Sequence, residues 1–238
     1  MYVPPKNSHK GENGRLQIIA GSKTYHGAAV LTIIAARRFV DLVFFQPGEK
    51  DRYLIQVVKK TPEVIVADKS KEADVVLFGN GIANARIKLP KTRAKLVIDA
   101  DGLKKIKGKI PENAILTPHA GEFRELFSCE PTKENVRRMA KKHKCIILRK
   151  GPVDVVSDGR RTALNTVHNQ GMTKGGSGDV LAGLVAALAC KNDSFEACVV
   201  ATRVVGEAGN ILMKCYGYNY CASDIAHMLP FAYKKVVK

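Results

Sequence analysis

The chain has 238 residues, 45% of them hydrophobic, enough to bury a substantial core in one α/β domain spanning 1–238. Thirty-nine Lys plus Arg against 22 Asp plus Glu give a net charge of +17, which makes nucleic-acid binding a hypothesis to be weighed. No apolar run reaches the roughly eighteen residues a membrane helix needs, and Met1-Tyr-Val-Pro-Pro-Lys6 lacks a signal peptide's charged-then-apolar pattern, so a cytoplasmic protein without a membrane partner is expected.

Residues 15–20 read as the first strand, ending in the turn signal Gly21-Ser22. A small-residue helix over 25–38 and a second strand over 40–45 follow, which is the grammar of a parallel sheet. The alternation continues through apolar strands at 63–67 and 73–78, the latter ending in Gly79-Asn80-Gly81, and at 96–100. A strand at 114–117 leads to Pro118-His119-Ala120-Gly121-Glu122, which opens a helix through Phe127; a basic helix at 135–143 and a strand at 145–149 come next. Strands at 153–157 and 162–166 flank the turn signal Asp158-Gly159, so an antiparallel hairpin closes one edge. Helices at 194–214 and 222–237 complete a mostly parallel α/β sandwich.

The basic residues come in short clumps, at 59–60, 69–71, 88–95, 104–109 and 137–144, on loops or on the polar faces of predicted helices. Without aromatic interleaving, a helix-turn-helix signature or zinc spacing, they read as a solvated surface that attracts polyphosphates at long range, with no specific nucleic-acid partner. Six cysteines at 129, 145, 190, 198, 215 and 221 form no CxxC pair and read as reduced thiols.

Ligands of an open α/β sheet bind beyond the carboxyl ends of its strands. Four strand-end groups therefore converge: Gly79-Asn80-Gly81, Asp99 with Asp101, His119 with Glu122, and Lys150-Gly151. Asp99 interrupts an apolar strand, which favours a role at a metal or substrate over that of a buried acid satisfied by the next turn. Asp101 reads as the cap of the short helix that follows. His119 and Glu122 are three apart at a helix start; they suit either an anion or carbonyl and a magnesium shell, or a capping arrangement in which Glu122 favours the positive end of the dipole, and spacing favours the latter.

Residues 169–189 carry the strongest signal. Gly175, Gly176, Ser177 and Gly178 precede Asp179 and a segment, 180–189, that is apolar on nearly every face, as in a helix buried in an α/β core. A glycine loop opening such a helix offers free N–H groups and a positive dipole end to phosphate, with Asp179 beside it. The alternative is a tight turn with Asp179 as its cap. Lys174 precedes the glycines, so the loop is not a P-loop. A carboxylate beside phosphate, without a Ser/His or Cys/His arrangement, suits a base that takes a hydroxyl's proton during phosphoryl transfer.

The blocks at 171–183 and 117–122, with Val97-Ile-Asp-Ala-Asp101, Lys150-Gly151 and His9-Lys-Gly11, together resemble the ADP/ATP-dependent NAD(P)H-hydrate dehydratases of the ribokinase-like superfamily. They occur in the family's order and span nearly the whole chain. The resemblance implies a three-layer α/β/α fold and a repair reaction, in which ADP or ATP drives removal of the added water from hydrated NADH or NADPH. It assigns Asp179 as the base and Lys150, Gly151, Pro152, Val153, Asp154, Gly175, Gly176, Ser177 and Gly178 to the nucleotide. Ala28, Gly79, Gly81, Asp99 and His119, with Asp179, fall to the hydrated dinucleotide, and Glu122 to magnesium through water. Superfamily members often self-associate, which implies a homo-oligomer. Departures from the pattern are Asn80 and Ala120, each in place of a proline, Asp154 in place of a threonine, and a short segment after Gly81 with room for only a helical turn at 84–88. A sugar or vitamin-precursor kinase of the same superfamily is the alternative reading, and a basic nucleic-acid-binding protein a distant one.

Overall fold

The computed structural model describes residues 1–67 and 72–237; the basic clump expected at 69–71 lies outside the described residues. Its strands are β1 (Arg15–Ala20), β2 (Leu42–Pro47), β3 (Val64–Val66), β4 (Val75–Phe78), β5 (Lys95–Ile98), β6 (Ile115–Leu116), β7 (Ile146–Arg149), β8 (Asp154–Ser157) and β9 (Thr162–Asn165). They form one sheet in the order β3-β2-β1-β4-β5-β6-β7-β8-β9. All pairs from β3 to β7 are parallel, and the expected hairpin, β8 with β9, adds antiparallel to β7.

The helices are α1 (His26–Ala36), α2 (Arg52–Val58), α3 (Asp101–Lys105), α4 (Ala120–Phe127), α5 (Lys133–His143), α6 (Ser177–Ala189), α7 (Ser194–Tyr216) and α8 (Ala222–Val236). Alternation along the strands sends side chains into two cores. Leu16, Ile18, Leu77 and Val97 meet α1, α2, α6, α7 and α8, while Ile19, Val76, Phe78 and Ile98 meet α3, α4 and α5. The three-layer sandwich follows from this period of two. Helix α6 lies at the centre of the larger core, with Val180 through Ala189 all buried.

Two readings are corrected. The second strand starts at Leu42, not at 40. Helix α2 was not anticipated; Asp51 caps it by accepting from Leu54 N at 2.8 Å, and Leu54 and Val58 anchor it. The segment after Gly81 is as short as expected: between β4 and β5 there are turns and no helix, and Ile82, Ala85, Ile87 and Leu89 cover the second core there. The six cysteines are free, as expected, and burial pushes the Cys145 and Cys190 thiols up to about 12, which keeps them unreactive.

The strand order reverses direction at β1, whose neighbours are β2 and β4. The loops leaving β1 and β4 therefore diverge and open the sheet's carboxyl edge, the place where a ligand crevice forms. On the far side of that edge α7 supports residues 165–172. Gly206 makes this contact possible, because a Cβ there would lie 1.6 Å from the Val167 carbonyl oxygen. Gly→Ala inside a helix ordinarily gains up to about 1 kcal/mol. Here backbone overlap outweighs it, and Gly206→Ala is expected to lose about 1–3 kcal/mol, measured by urea unfolding.

Candidate functional site

Helix α6 begins at a left-handed turn. Gly176 is its N-cap with φ +95°, and a Cβ there would lie 2.3 Å from Leu31 Cδ1, so glycine is required on two counts. Gly175 has open space around it and needs no such explanation. The first i→i−4 bond is Val180 N to Gly176 O at 3.1 Å, which leaves the Gly178 and Asp179 N–H groups ahead of the helical ladder. Lys174 does not point to this end. Its ammonium donates to the Tyr218 and Tyr220 carbonyls, both at 2.6 Å, and so ties the glycine loop to the α7–α8 connection.

Asp179 is not a cap: among the described residues α6 has no side-chain cap, and the Asp179 carboxylate turns to the sheet edge. There Asn80 donates its Nδ2 to Asp179 Oδ1 at 2.7 Å and to Asp99 Oδ2 at 2.8 Å. Asp99 Oδ1 accepts from Lys150 Nζ and from Thr117 Oγ1, each at 2.7 Å. Asp99 is 1% exposed and Asn80 fully buried. Three strand ends and the first turn of α6 thus form one polar chain, Asp179–Asn80–Asp99–Lys150. Lys150 Nζ also comes within 3.5 Å of the position a Cβ at Gly178 would take, so a cation and free N–H groups face each other across a space kept open by glycine. That pairing suits an anion.

Burial pushes the Asp179 carboxyl up to about 6; the Asn80 amide opposes the rise, the Asp99 charge adds to it, and Lys150 opposes it. For Lys150, burial favours the neutral amine, but Asp99 and Glu122 outweigh it and the net shift is upward. The network therefore holds a firmly charged ammonium beside a carboxylate of raised basicity.

The capping arrangement at His119 and Glu122 is present, and it is reciprocal, which spacing did not state. His119 Nδ1 accepts from the Gly121 and Glu122 N–H groups, and Glu122 Oε2 accepts from His119 N at 2.8 Å. Glu122 Oε1 keeps acceptor capacity, with only His119 Nε2 at 3.5 Å. Among the described residues no cluster of three or more His, Cys, Asp or Glu is arranged to hold a metal. Magnesium needs only one or two carboxylates when phosphates and water complete its shell, so Glu122 fits the water-mediated role. Asp101 does not cap α3: Ala100 holds that position, and Asp101 accepts from Ala83 N at 2.9 Å and from Lys104 Nζ at 3.0 Å, pinning the loop after β4.

A cleft of about 480 Å³ adjoins the helix start. Of the residues assigned to the nucleotide, Lys150, Gly151, Pro152, Asp154, Ser177 and Gly178 line it, whereas Val153, Gly175 and Gly176 do not. Its other wall is the segment from Val167 to Thr173, and its apolar floor is Leu181, Thr202 and Val205. Sequence reasoning missed this floor, because Thr202 and Val205 sit at ordinary helical spacing with no local signal. Asp154 accepts from Gly151 N at 3.1 Å and Asn165 Nδ2 at 3.0 Å, and burial raises its proton affinity. Ala28 and Gly81 sit together across the crevice, a Cβ at Gly81 coming within 2.7 Å of Ala28 Cβ, and Gly79 packs on the Asp99 carbonyl.

Residues 16–230 match the family described as NAD(P)H-hydrate dehydratase. A bifunctional NAD(P)H-hydrate repair enzyme of Methanocaldococcus jannaschii is 36% identical over 94% of this chain, which spans about half (49%) of that protein's length. An ADP-dependent (S)-NAD(P)H-hydrate dehydratase of Cenarchaeum symbiosum is 33% identical over 98% of this chain and 93% of its own. Among solved structures, the ADP/ATP-dependent NAD(P)H-hydrate dehydratase of Bacillus subtilis, co-crystallized with ATP/Mg2+, superposes with a TM-score of 0.86 over 99% of this chain and 94% of that one; at 22% identity this likeness carries the fold alone.

An ionised Asp179 has a thermodynamic consequence. Because its folded pKa, about 6, lies above the unfolded value of 3.8, the stability tied to its proton is complete below pH 3.8 and lost as pH rises through 6. The loss is up to about 3 kcal/mol at 1.36 kcal/mol per pH unit. Asp179→Asn keeps the amide contact without the charge. Its melting temperature is expected to exceed the wild type's by several degrees above pH 7, with the gap closing toward pH 4 in a series of thermal melts.

Proposed function

The chain belongs to the NAD(P)H-hydrate dehydratase family, and on that premise we propose that it uses ADP or ATP to dehydrate hydrated NADH or NADPH. The observation that carries this reading is the Asp179 carboxylate beside the free N–H groups of α6 and the Lys150 ammonium. A base beside an anion site is what transfer to a hydroxyl requires.

In this reading the nucleotide lies in the cleft between 150–154 and 167–173, its terminal phosphate at Gly178 and its polar groups toward Asp154 and Asn169. The hydrated dinucleotide enters from the Ala28–Gly81 side, so its hydroxyl reaches Asp179. Asp179 takes the hydroxyl proton as the oxygen bonds to the terminal phosphorus and the bridging P–O bond breaks toward the departing nucleotide. Lys150 and the first-turn N–H groups stabilise charge on the transferred oxygens. Hydroxide is a poor leaving group and phosphate a good one. The C–O bond then breaks with its electron pair on phosphate, a neighbouring carbon gives up a proton to water, and the electron pair of that C–H bond restores the double bond of the dihydropyridine. Magnesium, when bound, neutralises phosphate charge, and Glu122 through water is the residue that would hold it.

The test mixes the protein with magnesium, hydrated NADH and either ADP or ATP, and follows the dihydronicotinamide absorbance. Recovery with at least one nucleotide is expected; nucleotide turnover on another alcohol without recovery would instead mark a kinase. Asp179→Asn is expected to lower kcat by about 10²–10⁴-fold. Because the base must be ionised, wild-type kcat is expected to fall as pH drops through about 6.

A further inference from the structure

Asn80 is held more tightly than a surface loop residue has reason to be. Gly79 (φ +123°) and Gly81 (φ +63°) flank it in backbone conformations that side chains avoid. A Cβ at Gly79 would lie 2.2 Å from the Asp99 carbonyl oxygen. The Asn80 carbonyl accepts from Gly21 N at 2.7 Å, which fastens the loop after β4 to the loop after β1. Backbone and neighbours thus leave the side chain one direction, into the gap between Asp99 and Asp179.

That gap sets the requirement. With both carboxylates ionised, an amide between them must turn its NH2 toward them, because its carbonyl oxygen at 2.7–2.8 Å would face two acceptors. The amide supplies one N–H to each, while its own Oδ1 is buried with no hydrogen-bond partner among the described residues. A buried acceptor left without a partner is destabilising, so the arrangement is not one that packing alone would select.

We propose that Asn80 is a positioning residue for the base: its side-chain NH2, shared by Asp99 and Asp179, commits Asp179 Oδ1 and leaves Oδ2 as the oxygen that meets the substrate hydroxyl. The inference rests on reading Asp179 as the base. The charged groups facing Asp179 are Asp99 from the end of β5 and Lys150 from the end of β7, the latter also under the influence of Glu122 on α4. Asp99 is itself occupied by Lys150 and Thr117, so its free charge is already reduced. Asn80 is the neutral donor that stands directly between the two acids, and removing it exposes Asp179 to the Asp99 charge without a screen. The proton affinity of Asp179 then rises.

Two variants test this. Asn80→Ala deletes the donor, and Asn80→Asp keeps the shape while replacing the NH2 by an acceptor. The first readout needs no substrate: the Asp179 carboxyl resonance, identified by its loss in Asp179→Asn, is titrated by carbon-13 NMR in folded protein. The midpoint is expected to move up by about one pH unit in Asn80→Ala and further in Asn80→Asp. The second readout is the pH profile of hydrated-NADH dehydration, whose acid limb should move by the same amount while KM for the nucleotide changes by less than about twofold. An unmoved midpoint in either folded variant overturns the proposal, as does a pH-independent drop in kcat. If the wild type dehydrates nothing, the functional reading fails while the titration still decides the role of Asn80.

Discussion

The constraint on which the rest depends is the placement of two carboxylates and one ammonium under the open end of a buried helix. A carboxylate at the start of α6 gains from the helix dipole, but burial and Asp99 both work against its charge. The result is a carboxyl pushed up to about 6 instead of an ordinary surface acid. The Lys150–Asp99 pair has the opposite character: at 2.7 Å and largely buried, each partner is needed to justify the other. One strongly fixed pair beside one marginal acid gives the site two titratable environments from three charges, a pattern that separates groups that hold charge from groups that move protons.

Backbone geometry makes this arrangement possible. Asn80, Asp99 and Lys150 arrive on different strand ends and Asp179 on the first turn of α6, so their mutual distances depend on how the loops turn after the sheet. The turns are made where side chains are excluded: Gly79 and Gly81 squeeze the loop after β4 between α1 and the end of β5, and Gly176 fits the helix start against Leu31. Gly183 plays the same part further along α6, where a Cβ would lie 2.5 Å from the Thr32 carbonyl oxygen, so α1 and α6 cross closely and fix the position of Asp179 relative to the crevice.

Much of this was legible in the sequence because its signals are local. The strand–glycine–helix rhythm announced a parallel sheet, the Asp158-Gly159 turn announced the edge hairpin, and Asp99 stood out as an acid in an apolar strand. What could not be read depends on tertiary distance. Nothing around Asn80 states that its amide will reach two acids, one 19 and the other 99 residues away. Asp101 read as a cap because a polar residue at a helix start usually is one; the positive φ of Ala100 instead puts it one residue inside, aimed at Ala83. The cleft floor from α7 was equally silent, because Thr202 and Val205 follow the same helical period as residues that merely pack.

The chain's excess of positive charge takes on a different meaning beside this site. Asp99 and Asp179 against Lys150 leave the polar chain near −1 when all three are ionised, so its side chains as a set do not attract a polyphosphate. Under the proposed reading, recognition close up comes from the N–H groups of α6, which carry partial charge without a counter-ion, with the Lys150 ammonium facing them. Attraction from a distance must come from the rest of the +17, spread over exposed positions such as Arg138, Lys141 and Lys142 on α5. Exposed charges act through water and salt with a range of about 8–10 Å, enough to raise the local concentration of an anion but not to orient it. A carboxylate of raised basicity in a locally acidic pocket is therefore compatible with an anionic ligand in a strongly basic protein, because under the proposed reading steering and orientation are carried by different groups.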